Sequence, residues 1–314
     1  MAHEVARSIH SATQPPQPVS LARRIADGDL GGYVLLAPAM IVLLSLTVYP
    51  LLYSIYISLT DYHLGNDSPV HFIGLDNYIR MATDSLFLGS LWTSAKFLII
   101  AVPLQLVLGY FCAAIFRAAQ DAPFSRILRT VFILPTMITP LCIGLFWGYI
   151  LDPLTGVMNW ILGSLHLPVA QWLSSTETAL PTLIAIYLWE WTPFTTVLLM
   201  AGLLSISPSI YEAAKLDGAQ WWNISLRIDI PLLGGVISVA AILAVVEVIR
   251  LFDIIYGTTQ GGPGSATLTN AVAIYRFGFQ NFDTGYAAAT SLAILVITIV
   301  VAQNLARKLA EENS

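Results

Sequence analysis

Long apolar runs separated by short polar clusters set the organisation of this chain. Windows at 30–60, 97–116, 130–151, 230–246 and 284–306 contain no Asp, Glu, Lys or Arg, and a sixth, 178–211, is interrupted only by Glu190. Each approaches or exceeds the roughly 20 residues of helix that cross a lipid core. Runs such as Ile242-Leu243-Ala244-Val245-Val246 lack the period-2 alternation of a membrane-spanning β-strand. The pattern predicts an all-α membrane protein with six transmembrane helices, near 33–59, 95–117, 129–151, 180–205, 231–256 and 286–307.

Composition agrees. Of the 314 residues, 56% are hydrophobic and 11% charged, against about 25% charged in a soluble domain. The net charge of −5 and the lack of any basic block longer than Arg23-Arg24 argue against nucleic-acid binding. Cys112 and Cys142 both lie in apolar stretches and read as small buried hydrophobes. The five histidines fall in the first 30 residues or in polar loops, without the H-E-x-x-H spacing of a metal site. Neither a catalytic nor a metal centre is predicted.

Lys and Arg beside span ends set orientation. With the N-terminus inside, Arg7, Arg23, Arg24, Arg117, Arg126, Arg129, Lys215, Arg227, Arg307 and Lys308 are cytoplasmic, 10 of the 14 cations. The other side receives Asp61, Asp67, Asp76, Asp84, Asp152, Glu177 and Asp283. Both termini are thus expected in the cytoplasm. Residues 1–30, with Pro15, Pro16 and Pro18 and no apolar core, read as a mobile tail rather than a cleavable signal. Residues 31–308 read as the membrane domain and 309–314 as a C-terminal tail. Trp160 and Trp172 suggest a short interfacial helix in the loop after the third span.

The connection at 207–231 has helix grammar of its own. Pro208 sets the φ of a helix start, Ser209 and Glu212 have the spacing of an S-x-x-E capping box, and Gly218 supplies a stop. The expected helix exposes Ala213 and Ala214, with Trp221 and Trp222 helping to anchor it.

Glu212-Ala213-Ala214, Gly218, Ile228 and Ile230-Pro231 closely match the E-A-A-x3-G-x9-I-x-L-P signature of permease subunits of bacterial ABC importers, with Ile230 in place of Leu. Further elements resemble the carbohydrate branch of that family: Ala37-Pro38-Ala39 with Tyr49-Pro50, Phe72-x-Gly74-Leu75-x-Asn77-Tyr78, Asp152-Pro153-x-x-Gly156-x-x-Asn159, Trp191-x-Pro193-Phe194, and Thr259-Gln260-Gly261-Gly262-Pro263. The resemblance implies half of a pore in the bacterial inner membrane, paired with a second homologous permease. It further implies two copies of a cytoplasmic ATPase subunit holding ATP and Mg, and an extracytoplasmic solute-binding protein. Glu212, Ala213, Ala214, Lys215, Leu216, Asp217 and Gly218 would form the helix that docks on the ATPase. No Walker A sequence occurs in this chain.

Ionisable groups inside a span normally face a cavity or a partner, which singles out Glu190, Glu247, Arg250 and Asp253. The spacing of the last three puts them on one face of a continuous helix. That face reads either as a polar stripe along a translocation path or as an internal salt-bridge ladder. Trp147, Trp189 and Trp191 read as sugar-stacking side chains or as bundle packing, and Gln260-Gly261-Gly262-Pro263 as a flexible outer loop near solute or as a plain turn. The rival function is a secondary carrier working without an ATPase; six spans without an obvious duplication count against it.

Overall fold

The computed structural model describes residues 31–65 and 69–312; the expected tail 1–30 and Asp67 lie outside the described residues. The chain divides between Tyr56 and Ile57 into two compact units. Most of α1 (Gly31–Ser58) belongs to the first. Within it the hydroxyls of Ser45, Thr47 and Ser54 donate to carbonyls three or four residues earlier at 2.8–3.0 Å, which satisfies them without water.

The second unit is a helical bundle. Its elements are α2 (Asp76–Thr83), α3 (Ser85–Ala118), α4 (Ser125–Ile133), a 3₁₀ turn (Leu134–Met137), α5 (Pro140–Ile150), α6 (Val157–Ser164) and α7 (Ala179–Ser205). There follow α8 (Pro208–Leu216), α9 (Trp221–Ile224), a π-helical turn (Ser225–Asp229), α10 (Ile230–Leu232), α11 (Gly234–Ile249), α12 (Asp253–Thr258), α13 (Asn270–Tyr275), a second π turn (Arg276–Gln280) and α14 (Thr284–Glu312). Among the described residues, α1 included, five helical stretches are long and apolar enough to cross a membrane, and a bent sixth joins them if α4, the 3₁₀ turn and α5 count as one span. The last helix continues through Glu312, into the residues expected as a tail.

Two spans depart from the straight helices the sequence pattern predicts. The third is bent by 98° between α4 and α5. Pro135 and Pro140 cannot donate to the turns before them, and Thr139, which precedes Pro140, is extended at φ −60° and ψ 128°. The fifth ends at Ile249 and restarts at Asp253. A break leaves carbonyls without helical partners, and in lipid these must be met from within the protein. Asn270 Nδ2 donates to the Ile249 carbonyl at 3.2 Å, and Thr269 Oγ1 to the Leu251 carbonyl at 3.2 Å. Asn270 is itself held by Ser94 of α3, whose hydroxyl donates to its Oδ1 and accepts from its backbone N–H at 2.9 Å.

The core sits where α3, α7, α11 and α12 meet, around Phe97, Leu183, Tyr187, Val248 and Ile254. A polar tie crosses it. Gln105 of α3, 2% exposed, donates to Thr195 Oγ1 at 2.8 Å and accepts from Tyr187 Oη at 2.9 Å. The two short halves of the broken spans pack backbone to backbone: a Cβ on Gly144 would stand 2.8 Å from the Ile254 carbonyl oxygen and 3.2 Å from Gly257 Cα. Absent side chains allow this approach, as small residues do between membrane helices.

Two outcomes follow from this packing. Gly144→Ala should cost about 1–3 kcal/mol, the usual penalty of overpacking, and lower the thermal midpoint of the detergent-solubilised protein. Gly148→Ala on the same helix, whose added Cβ would meet nothing closer than 3.8 Å, is the control; equal midpoints for the two variants would show that α5 and α12 are free to separate. Asn270→Leu should cost about 1–3 kcal/mol by leaving the Ile249 carbonyl unmet and speed amide exchange around 249–253. Unchanged exchange there would show that the break is held by other groups.

Candidate functional site

The expected helix at the signature segment forms as α8, two and a half turns long. Pro208 occupies its first helical position, so the N-cap is Ser207 rather than Ser209. The anticipated Ser209–Glu212 capping box therefore does not form; Ser209 Oγ instead pairs with Ser207 Oγ at 2.8 Å. The end behaves as expected. Gly218 adopts φ +76°, its N–H donates to the Lys215 carbonyl at 3.1 Å, and the Ala219 N–H donates to the Ala214 carbonyl at 2.9 Å, the paired bonds of a Schellman stop.

One face of α8 is held and the other is open. Tyr211 and Ala214, three residues apart, are both 7% exposed, so Ala214 faces inward, where the sequence reading had it exposed beside Ala213. Glu212, Ala213, Lys215, Leu216 and Asp217 are exposed, and Leu216 stands 90% exposed. Trp221 and Trp222, expected to help anchor α8, stand beyond its stop and are 63% and 47% exposed. They line an apolar groove of about 470 Å³ with Leu106, Val107 and Phe111 of α3, because α9 begins beyond the reversal at Gly218.

What holds α8 is a carboxylate that sequence reasoning did not single out. Asp229, at the end of the first π turn and 4% exposed, accepts from Tyr211 Oη at 2.7 Å and from Tyr110 Oη at 2.9 Å. The Arg117 Nη1 lies 3.7 Å from the same carboxylate, and its guanidinium stacks 3.7 Å above the Tyr211 ring. Burial first, then the bond to Asp229, pushes the Tyr211 phenol upward from its ordinary pKa and keeps it a donor. The available signal was an acidic residue two positions before Pro231, at a span boundary.

Deeper in the bundle, Glu190 on α7 is 2% exposed and its Oε2 has no hydrogen-bond partner among the described residues. Trp147 Nε1, Trp191 Nε1 and Thr192 Oγ1 are likewise buried without partners. Trp147 meets Trp189 edge to face at 5.5 Å, and Trp191 stacks on Tyr187 at 6.5 Å. Glu247, Arg250 and Asp253 do not share one continuous helix face. Glu247 is half-buried on α11, Arg250 caps its end, and Asp253 opens α12 across the break. Among the described residues the ion pairs are Arg80–Asp283 and Arg117–Asp229, so no ladder of contacts within 4 Å joins these three.

The loop at Gln260-Gly261-Gly262-Pro263 is built rather than slack. Arg276 donates to the Gln260 carbonyl, Thr267 Oγ1 donates to the Gly262 carbonyl at 2.6 Å, and Thr259 and Thr267 hydroxyls pair at 2.8 Å. The loop after α5 is similarly fixed. Asp152 Oδ1 accepts from the Thr155 N–H, the Thr155 hydroxyl and the Leu154 N–H, bonds that hold its carboxyl below the usual range. Asn159 of α6 binds the Ala170 backbone on both sides of its amide and accepts from Trp172 Nε1. Among the described residues no group of three or more His, Cys, Asp or Glu could hold a metal ion.

Residues 105–309 match the family described as the binding-protein-dependent transport system inner membrane component. The chain is 32% identical over 270 residues to the trehalose/maltose transport system permease protein MalF of Thermococcus litoralis, covering 85% of this chain and 90% of that protein. It is 31% identical over 279 residues to the sulfoquinovosyl glycerol transport system permease protein SmoG of Agrobacterium fabrum, covering 87% and 89%. Its fold resembles a chain in the crystal structure of a bacterial alginate ABC transporter in complex with an alginate pentasaccharide-bound periplasmic protein, at a TM-score of 0.82 and 20% identity, covering 94% of this chain and 98% of that one. These matches leave no place for a secondary carrier. The chain belongs to the family of binding-protein-dependent ABC transporter permeases: it is a multi-pass inner membrane component of an importer and a transport subunit, not an enzyme.

Proposed function

We propose that this permease forms half of a translocation pore with a second homologous permease, driven by two copies of a cytoplasmic ATPase subunit that bind ATP and Mg. Both termini lie in the cytoplasm of a bacterium, and an extracytoplasmic solute-binding protein delivers a carbohydrate or a related solute such as a glycoside, polyol or glycerol-phosphate ester. The solute class rests on the relatives, named for trehalose/maltose, sulfoquinovosyl glycerol and lactose. The observation that carries the reading is the two-faced α8. Its inner face is fastened to the bundle through Tyr211 and Ala214, and its outer face presents Glu212, Ala213, Lys215, Leu216 and Asp217 up to the stop at Gly218. A helix that receives a force must be stiff, anchored on one side and open on the other.

Within the bundle we assign Glu190, Glu247, Arg250 and Asp253, with Trp147, Trp189 and Trp191, to the solute path. Three things support this assignment: the unmet hydrogen-bonding capacity at Glu190, Trp147 and Trp191, the lack of ion pairing among Glu247, Arg250 and Asp253, and the suitability of aromatic faces and charged groups for sugars. The turn at Gln260, Gly261, Gly262 and Pro263 lies on the side of the solute-binding protein and offers it a rigid backbone surface.

Two outcomes test the reading, both in cells supplied with the radiolabelled sugar that mass spectrometry identifies on the co-purified binding protein. Gly218→Asp, which strains the left-handed stop at φ +76° though nothing lies within 4 Å of the added Cβ, should insert normally, keep ATP hydrolysis and lose uptake; wild-type uptake would remove the coupling role. Glu247→Ala combined with Arg250→Ala should lower uptake by roughly tenfold or more, as losing hydrogen bonds to charged groups does, while the amount of assembled transporter in the membrane stays close to wild type. Loss of assembly with proportionate loss of uptake would make these residues structural.

A further inference from the structure

The covalent route from α8 to the next long span is indirect: a left-handed turn at Gly218, the extended Gln220, the four residues of α9, the π turn and α10 precede α11. Residues 221–232 run helically throughout, so the non-helical stretch of that path is the reversal at 217–220. The Asp229 carboxylate bypasses it. One oxygen receives the Tyr211 hydroxyl from α8 and the other the Tyr110 hydroxyl from α3, with Arg117 of α3 at 3.7 Å and stacked on Tyr211. Asp229 lies two residues before Pro231, and its own carbonyl accepts from the Leu233 N–H at 2.8 Å, so it is fixed to the base of α11. A buried carboxylate that loses a partner keeps the cost of its charge. The three elements therefore have reason to stay together when one is pushed.

We propose that Asp229 is a positioning residue that joins α8 to α3 and to the base of α11, so that displacement of α8 carries these elements with it rather than being absorbed in the reversal at residues 217–220. This rests on the reading of α8 as the ATPase-docking helix. Tyr211 is the linking donor from α8, and Tyr110 with Arg117 holds the carboxylate in place.

Asp229→Ala risks misfolding, so Tyr211→Phe is the test, since it removes one hydroxyl and keeps the ring under Arg117. The complete transporter is purified from its native membrane with Cys112 and Cys142 replaced by serine. Spin labels are placed at Ser209 and Val239 in one sample and at Leu154 and Ser209 in another, all at exposed positions. Distances are measured without nucleotide and after trapping with ATP, magnesium and orthovanadate. With the clasp intact, trapping should change the 154–209 distance and leave 209–239 fixed. In Tyr211→Phe, ATP hydrolysis should persist while 209–239 shifts or splits by roughly 2–5 Å, the scale of helix sliding in switching transitions. If 209–239 stays fixed in Tyr211→Phe, the proposal is overturned whatever the thermal midpoint does, and a fall in that midpoint would make the bond structural only. If 154–209 does not respond to trapping even with Tyr211 present, α8 is not the driven element, and the docking reading fails together with the clasp.

Discussion

A backbone in lipid has no water to complete its hydrogen bonds, and that single constraint decides where this bundle can depart from straight helices. The fifth span stops at Ile249 because Asn270 and Thr269 are there to take the freed carbonyls. Asn270 can do so because Ser94 of α3 holds it from both sides. The break is therefore a property of three segments distant in sequence. Where no such partners exist, side chains turn inward on their own helix, as Thr196, Thr258, Thr290 and Thr298 do by donating to carbonyls four residues earlier.

The same logic explains what could be read from sequence. Spans were legible because burial in lipid demands long uncharged runs, and the ends of α7, at 179–205, fall within a residue of the expectation. The stop of α8 was legible because Gly218 is the residue a left-handed cap favours. Breaks were not, because the residues that permit them lie elsewhere in the chain: nothing within 231–256 announces that Asn270 will meet Ile249. Gln105 escaped notice for another reason. It carries no charge and so does not interrupt an apolar window, yet it ties α3 to α7 through Thr195 and Tyr187. The capping box failed on a one-residue competition, since Pro208 fits the first helical position and moves the cap to Ser207.

At the signature segment, sequence reasoning identified the exposed residues and missed the buried ones that hold them. Glu212, Ala213 and Gly218 belong to a recognisable motif, whereas Tyr110, Arg117, Tyr211 and Asp229 come from three elements and meet only in the folded chain. Their arrangement fits general expectation for buried charge. Both carboxylate oxygens are occupied, a guanidinium is near, and a phenol ring covers that guanidinium. A pair with fewer partners would cost more to bury than it returned.

The two broken spans are coupled mechanically by the absence of side chains. Gly144 on α5 and Gly257 on α12 bring their backbones so close that each added Cβ would strike the opposing main chain, and close-packed contacts of this kind do not deform gradually. The short halves α5 and α12 are thus one rigid pair. The turns that precede them, residues 134–139 and 250–252, tie this pair to the helices before it. The second of these turns carries Arg250 and is followed at once by Asp253, both exposed. Charges on either side of a break take their directions from two helix axes, whereas the same charges on an unbroken helix would be locked at the angle of one. The correction from one continuous stripe to two helices therefore changes what these residues are able to do, and it follows from the hydrogen bonds of Asn270 and Thr269 rather than from the charges themselves.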